Sequence, residues 1–217
     1  MNLPSTIVLL LLMALCGPAK AQLVWYKGEI TLVTSIRLTG ELCYQPQANA
    51  LLFRMAGKWR VYQAYELHRF RYTDSTTSLV HTFAPYEILQ KNGETQSIIF
   101  EELIAGADVQ LLELSAQYGA RQTLKLELPY THKPSWQTPK PRFVWLNGQL
   151  VAPDEFVETE LDSLVATAPE VVKQWASHFP RPAAPKALAR WLTYFNIWVA
   201  RSQSQSSPMI TAQTRPF

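Results

Sequence analysis

The stretch GKWRVYQAYELHRFRYTD, residues 57–74, decides how the fold is read. Lys58, Arg60, Arg69 and Arg71 are interleaved with Trp59, Tyr62, Tyr65, Phe70 and Tyr72. Basic residues alternating with aromatics can track phosphates while the rings stack on bases, and they also make ordinary two-faced strands. The apolar spacing separates the two readings: two at Trp59 and Val61, three through Ala64, Leu67 and Phe70, and two again at Tyr72. That change predicts a strand over WRVY, a short helical or bulged turn at QAYE and a second strand over LHRFRYTD. With Trp59, Val61, Phe70 and Tyr72 turned inward, the basic residues fall on the solvated face. No nucleic-acid partner is expected.

Working toward the N-terminus, the even positions from Ile30 to Tyr44 are mostly apolar and the odd ones mostly polar, the period of half-buried strands. A run this long is expected to fold back within residues 35–40. YQPQAN reads as a turn, and ALLFRM as a third strand with Leu51, Phe53 and Met55 on one face. Gly57 and Lys58 are read as the tight reversal into WRVY.

Toward the C-terminus, LVHTF reads as another strand and Asn92-Gly93 as a turn. SIIFEELIAG is expected to be a short helix closed by Gly106. DVQLLELSAQYGARQTLKLEL gives a strand pair around Gly119, and Pro129, Pro134, Pro139 and Pro141 mark a loop. Asn147-Gly148 in RFVWLNGQLV is the signal of a two-residue hairpin. Beyond it the period becomes helical. Val157, Leu161, Leu164 and Val165 share one face, and Thr167 with Glu170 forms a capping box for a helix carrying Val171, Val172, Trp175 and Phe179. Leu188, Trp191, Leu192, Phe195, Trp198 and Val199 form a further stripe, with Lys186, Arg190 and Arg201 opposite.

The fold class expected is therefore α+β: an antiparallel β meander, barrel- or sandwich-like, over residues 22–151, then a helical segment over 152–201 packed on it. Residues 202–217 are polar and expected to be disordered.

TIVLLLLMALCGPAKAQ at the N-terminus carries an apolar core and an Ala19-Lys20-Ala21 site, the form of a secretory signal peptide over residues 1–21. Cleavage there predicts export to the periplasm or beyond, and a mature chain starting at Gln22 with no transmembrane span. Cys43 is then the one remaining cysteine, so no internal disulfide can form, and it is read as a packed strand residue. Loss of Lys20 lowers the formal charge from +3 to +2, too little for a polyanion-binding surface.

The order G-x-I-x-L, LTGELCY, VYQAYELHRFRYTD, FEELIAG before a Leu-rich strand, and FVWLNGQLV leading to a helix resembles uncharacterised exported bacterial β-rich proteins. In those a β meander precedes a short helical part. The resemblance covers roughly residues 25–175 and implies no activity, ligand or site residue.

Local chemistry is sparse. His68, His81, His132 and His178 lie far apart, without the spacing of a zinc site. There is no G-x-S-x-G, no H-E-x-x-H and no glycine-rich phosphate loop. Glu101 and Glu102 would diverge on a helix, and the acids of residues 154–162 read as a solvated face. Trp136, in the proline-flanked KPSWQTPK, is the tryptophan best placed for recognition. No catalytic, metal or cofactor residue is assigned. The expected function is a non-enzymatic binding or structural module of the cell envelope, with a carbohydrate or protein partner. The alternatives are a peripheral membrane protein docked through its last helix, or a hydrolase whose site is assembled only in space.

Overall fold

The computed structural model describes residues 23–90, 92–115, 140–182 and 185–206. Ten strands form one antiparallel sheet: β1 Tyr26–Leu32, β2 Arg37–Gln45, β3 Ala50–Met55, β4 Lys58–Gln63, β5 Leu67–Thr73, β6 Val80–Leu89, β7 Thr95–Ile104, β8 Val109–Glu113, β9 Arg142–Leu146 and β10 Gln149–Val151. The order across the sheet is β10-β9-β8-β7-β6-β5-β1-β2-β3-β4. A helical part follows, comprising α1 Pro153–Glu155, a π turn Phe156–Glu160, α2 Leu161–Thr167, α3 Glu170–His178 and α4 Pro185–Ser206. This is the α+β meander expected.

The first five strands curl into an open barrel in which β4 remains an unpaired edge, and chain geometry requires the curl. β4 and β5 stand at opposite ends of the order β5-β1-β2-β3-β4, which in a flat sheet would place them about 19 Å apart. Only the 3₁₀ turn Ala64–Glu66 joins them, and four residue steps reach at most about 14 Å. The sheet must bend until the two strands approach. Gly28 and Gly40 face each other across β1 and β2 at this bend. A Cβ on Gly28 would lie 2.2 Å from the Arg71 carbonyl oxygen, so only glycine permits the approach. Ile30, Leu42, Leu51, Phe53, Tyr62, Leu67 and Phe70 fill the interior.

The opening stretch folds as strand, turn and strand, with one correction. Trp59 is 70% exposed and Val61 39%, whereas Tyr62 is buried. The reversal lies at Ala56-Gly57, both with positive φ (49° and 76°), so Met55 pairs Lys58 and Leu51 pairs Tyr62. A one-residue shift in the turn transfers every side chain to the other face. Arg60 consequently stands over the Tyr62 ring at 4.7 Å instead of opposing an inward Trp59. Phe70 is buried, and Arg69 and Arg71 are exposed on the opposite face, as expected.

SIIFEELIAG is a strand, not a helix: it lies in β7, antiparallel to β6. Ile98, Ile99 and Phe100 are all fully buried because β7 is a shared wall. Ile99 faces the barrel interior, while Ile98 and Phe100 join Ala84, Tyr86, Ile88, Leu112 and Phe143 in a second core. Two buried faces erase the alternation that marks a strand. Pro85 sits opposite Ile99 without loss. The Ile99 N–H donates to Asn49 Oδ1 at 3.0 Å and its carbonyl accepts from the Tyr44 hydroxyl at 3.3 Å, so it asks no ladder bond of Pro85. Asn49 Nδ2 also donates to the Ser97 carbonyl at 2.6 Å. The β2–β3 corner is thus fastened to β7 by side chains.

The hairpin at Asn147-Gly148 forms as read, both residues having positive φ. The third core joins Val109, Leu111, Val144 and Leu146 of the sheet to Phe156, Leu161, Val172, Leu188, Trp191, Leu192, Phe195 and Val199 of the helices. The stripe of α4 is therefore docked on the sheet. Thr167 does not cap α3: its hydroxyl donates back to the carbonyls of Ser163 and Leu164, and Pro169 occupies the cap position. Val171 is exposed. Asp162 of the acidic segment pairs with Arg181 at 3.3 Å. α4 runs to Ser206, beyond the Arg201 boundary. The proposed leader, Gly119 with its second strand, His132, Trp136 and residues 207–217 lie outside the described residues. No described helix is long and apolar enough to cross a membrane.

Candidate functional site

Two concavities are prominent among the described residues. The smaller, about 400 Å³, lies between α2, α4 and the β9–β10 turn and is lined by residues such as Asp108, Glu160, Ser163 and Gln203. It offers acids and hydroxyls with no basic group and no exposed ring face, Phe195 being 1% exposed. The larger, about 770 Å³, opens where the barrel meets β6 and β7, within the range of small-molecule sites.

Its wall follows from strand register. Phe70, Phe83, Glu101 and Glu113 stand in one cross-strand row, and Tyr72 pairs His81 in the next. Residues directly opposite share a face, so one row passes from the apolar barrel interior into two carboxylates. Tyr26 reaches the wall from β1 and stacks on Tyr72 with ring centroids 4.4 Å apart. His81 stacks on the same Tyr72 at 5.3 Å and Phe83 at 5.6 Å. Sequence inspection assigned none of these residues, because their spacing in the chain carries no signature.

The ionisable groups are held in pairs. His81 Nδ1 lies 2.5 Å from Glu101 Oε1. Lys140 Nζ lies 3.0 Å from Glu113 Oε1, and Arg142 Nε 3.0 Å from Glu113 Oε2. Burial pushes the Tyr72 phenol well above its ordinary range, with the Glu101 charge adding to the shift, so its hydroxyl remains a donor at any physiological pH. Cys43 also lines the cavity. Burial raises its thiol, against the opposing effect of Gln45 Nε2, which donates to Sγ at 3.0 Å, and so keeps it protonated and poorly nucleophilic. It is the packed strand residue expected.

The remaining sequence candidates lie elsewhere. His68 and His178 are exposed. Glu101 and Glu102 diverge as expected, though from a strand: Glu102 meets Arg69 at 3.1 Å and accepts from the Tyr86 hydroxyl at 2.9 Å. Arg60 pairs Glu66 and Arg71 pairs Glu29, so several of the interleaved bases carry an acid partner. Among the described residues no group of three His, Cys, Asp or Glu could hold a metal ion. Compared with protein-family models, with curated proteins and with solved structures, the chain matches none.

Proposed function

We propose that the protein is an exported, non-enzymatic binding module of the cell envelope, and that its ligand is a small organic molecule, or the end of a larger one, taken into the 770 Å³ cavity. The observation that carries this reading is the shelf of stacked rings, Tyr26, Tyr72 and His81, on the wall of that cavity. Rings held rigid by stacking on one another give apolar contact at low conformational cost, and convergent polar groups beside them fix orientation. The burial of Cys43, which raises its thiol, speaks against thiol catalysis.

Ligand-observed NMR with a fragment library tests it. Fragments should bind the native chain and lose binding to Tyr72→Ala, with retained folding checked by circular dichroism. Binding by no fragment, or binding indifferent to a folded Tyr72→Ala protein, would remove the proposal. A hydrolase is the second reading, favoured by the His81–Glu101 contact, which resembles a base with its orienting acid. Ester hydrolysis abolished by His81→Gln would put it first.

A further inference from the structure

We infer that the outward face of α4 is a docking surface for an anionic lipid layer, separate from the cavity and from the stripe that holds the helix on the sheet. Arg190, Tyr194, Ile197 and Arg201 stand at i, i+4, i+7 and i+11, which aligns them in one row along a helix. The docked residues Leu188, Leu192, Phe195 and Val199 take the opposite side. Tyr194 and Ile197 are each 40% exposed, and both arginines are exposed. Phe179, 36% exposed at the end of α3, widens the apolar surface, its ring centroid 5.7 Å from that of Tyr194. The Arg201 guanidinium lies 5.6 Å from the centroid of the half-buried Trp198 ring. Apolar and aromatic side chains with bases at both ends suit a helix lying in a headgroup layer: the rings and Ile197 enter the acyl boundary while the arginines reach the phosphates.

Charge complementarity selects the occupant. Residues 180–206 contain no acid, and the ion pairs nearby use other bases, Lys173 with Glu170 and Arg181 with Asp162. Arg190 and Arg201 are therefore left to an anion from outside. A second copy does not supply one. Laid parallel, the row sets Arg190 against Arg190 of the other copy; laid antiparallel, it sets Arg190 against Arg201, so base meets base either way. Shape separates lipid from an acidic protein. Protein anchors are seated in pockets, whereas Phe179, Tyr194 and Ile197 line neither concavity and stand on the outside of two helices. A fluid headgroup layer takes in such side chains without a matching pocket.

Liposome flotation tests this on the chain beginning at Gln22, which keeps every described residue and removes the apolar leader sequence. Vesicles of phosphatidylcholine mixed with phosphatidylglycerol should bind at least about tenfold more tightly than phosphatidylcholine alone. The preference should shrink as salt rises from about 0.1 to 1 M and the Debye length falls from about 10 to 3 Å. Tyr194→Ser combined with Ile197→Ser should weaken binding by about tenfold or more, with folding checked by circular dichroism. Should that variant not fold, Arg190→Gln combined with Arg201→Gln leaves the apolar side chains in place and should abolish the preference for anionic lipid. No binding to anionic vesicles, equal binding to both kinds, or binding unchanged in a folded variant overturns the inference. Capture by polyglutamate without vesicle binding gives the face to an acidic protein, and dimerisation abolished by the same substitutions gives it to a second copy; either result overturns the lipid assignment. The fragment test of the cavity is independent of all these outcomes.

Discussion

The barrel of β1 to β5 and the sheet of β7 to β10 are built from similar apolar residues but differ in how many faces they bury. In the barrel one face looks inward, and strands such as β5 alternate over residues 69–72: Phe70 buried and Tyr72 half-buried, Arg69 and Arg71 exposed. In the second region both faces are covered. Leu111 packs toward the helices and Leu112 toward the opposite core; Val144 and Phe143 divide in the same way. Periodicity in a sequence reports the number of wet faces rather than the presence of a strand. The barrel supplies its own cover by curling, whereas the second region relies on helices for one of its faces.

The contrast is broken most severely by removing the cover. A chain ending before Pro185 loses Leu188, Trp191, Leu192, Phe195 and Val199, each at most 6% exposed. At about 1.5–3 kcal/mol for each large side chain, the loss rivals the whole stability of a typical domain. Urea denaturation and amide exchange should show β8 to β10 unprotected, and β1 to β5 retaining protection at a lowered midpoint. An unchanged midpoint, with loss of cosedimentation with anionic vesicles, would assign α4 to a membrane surface instead.

Smaller, and located where the two regions meet, is the effect of Asn49. Asn49→Ala removes both side-chain bonds to the β7 backbone and puts alanine at φ 49°. The expected cost is about 2–4 kcal/mol by urea denaturation. Asn49→Gly tolerates that φ and loses only the bonds, so it should retain part of the stability. Equal losses would show that backbone strain plays no part.

The smallest effect is a pH dependence of the barrel region. The hydrogen bond from Arg54 holds Glu41 below its ordinary 4.5, and backbone N–H donation from Thr76 holds Asp74 below 3.8. A depressed carboxyl contributes stability above its ordinary value and loses it as pH falls through the folded value. Both groups are exposed, so the slope should be shallow. Thermal melts from pH 7 to 3 should decline less for Arg54→Met combined with Asp74→Asn than for the native chain. Parallel curves would exclude these carboxyls as the source.

Local chemistry was legible wherever the chain itself decides the outcome. The 2-3-2 spacing of residues 59–72 marked the 3₁₀ turn between two strands, Asn147-Gly148 marked a hairpin, and the stripe from Leu188 to Val199 marked a docked helix. Register and covering were decided only in three dimensions. Trp59 turned outward because the reversal at Ala56-Gly57 lies one residue from where composition placed it. β7 read as a helix because two cores meet on it. The Tyr26, Tyr72, His81 and Glu101 cluster has no sequence signature, since its members come from four strands and are neighbours only through the curl and cross-strand pairing. Sequence fixes what a few adjacent residues can satisfy among themselves, whereas burial on a second face and contact between distant strands exist only once the sheet has curled.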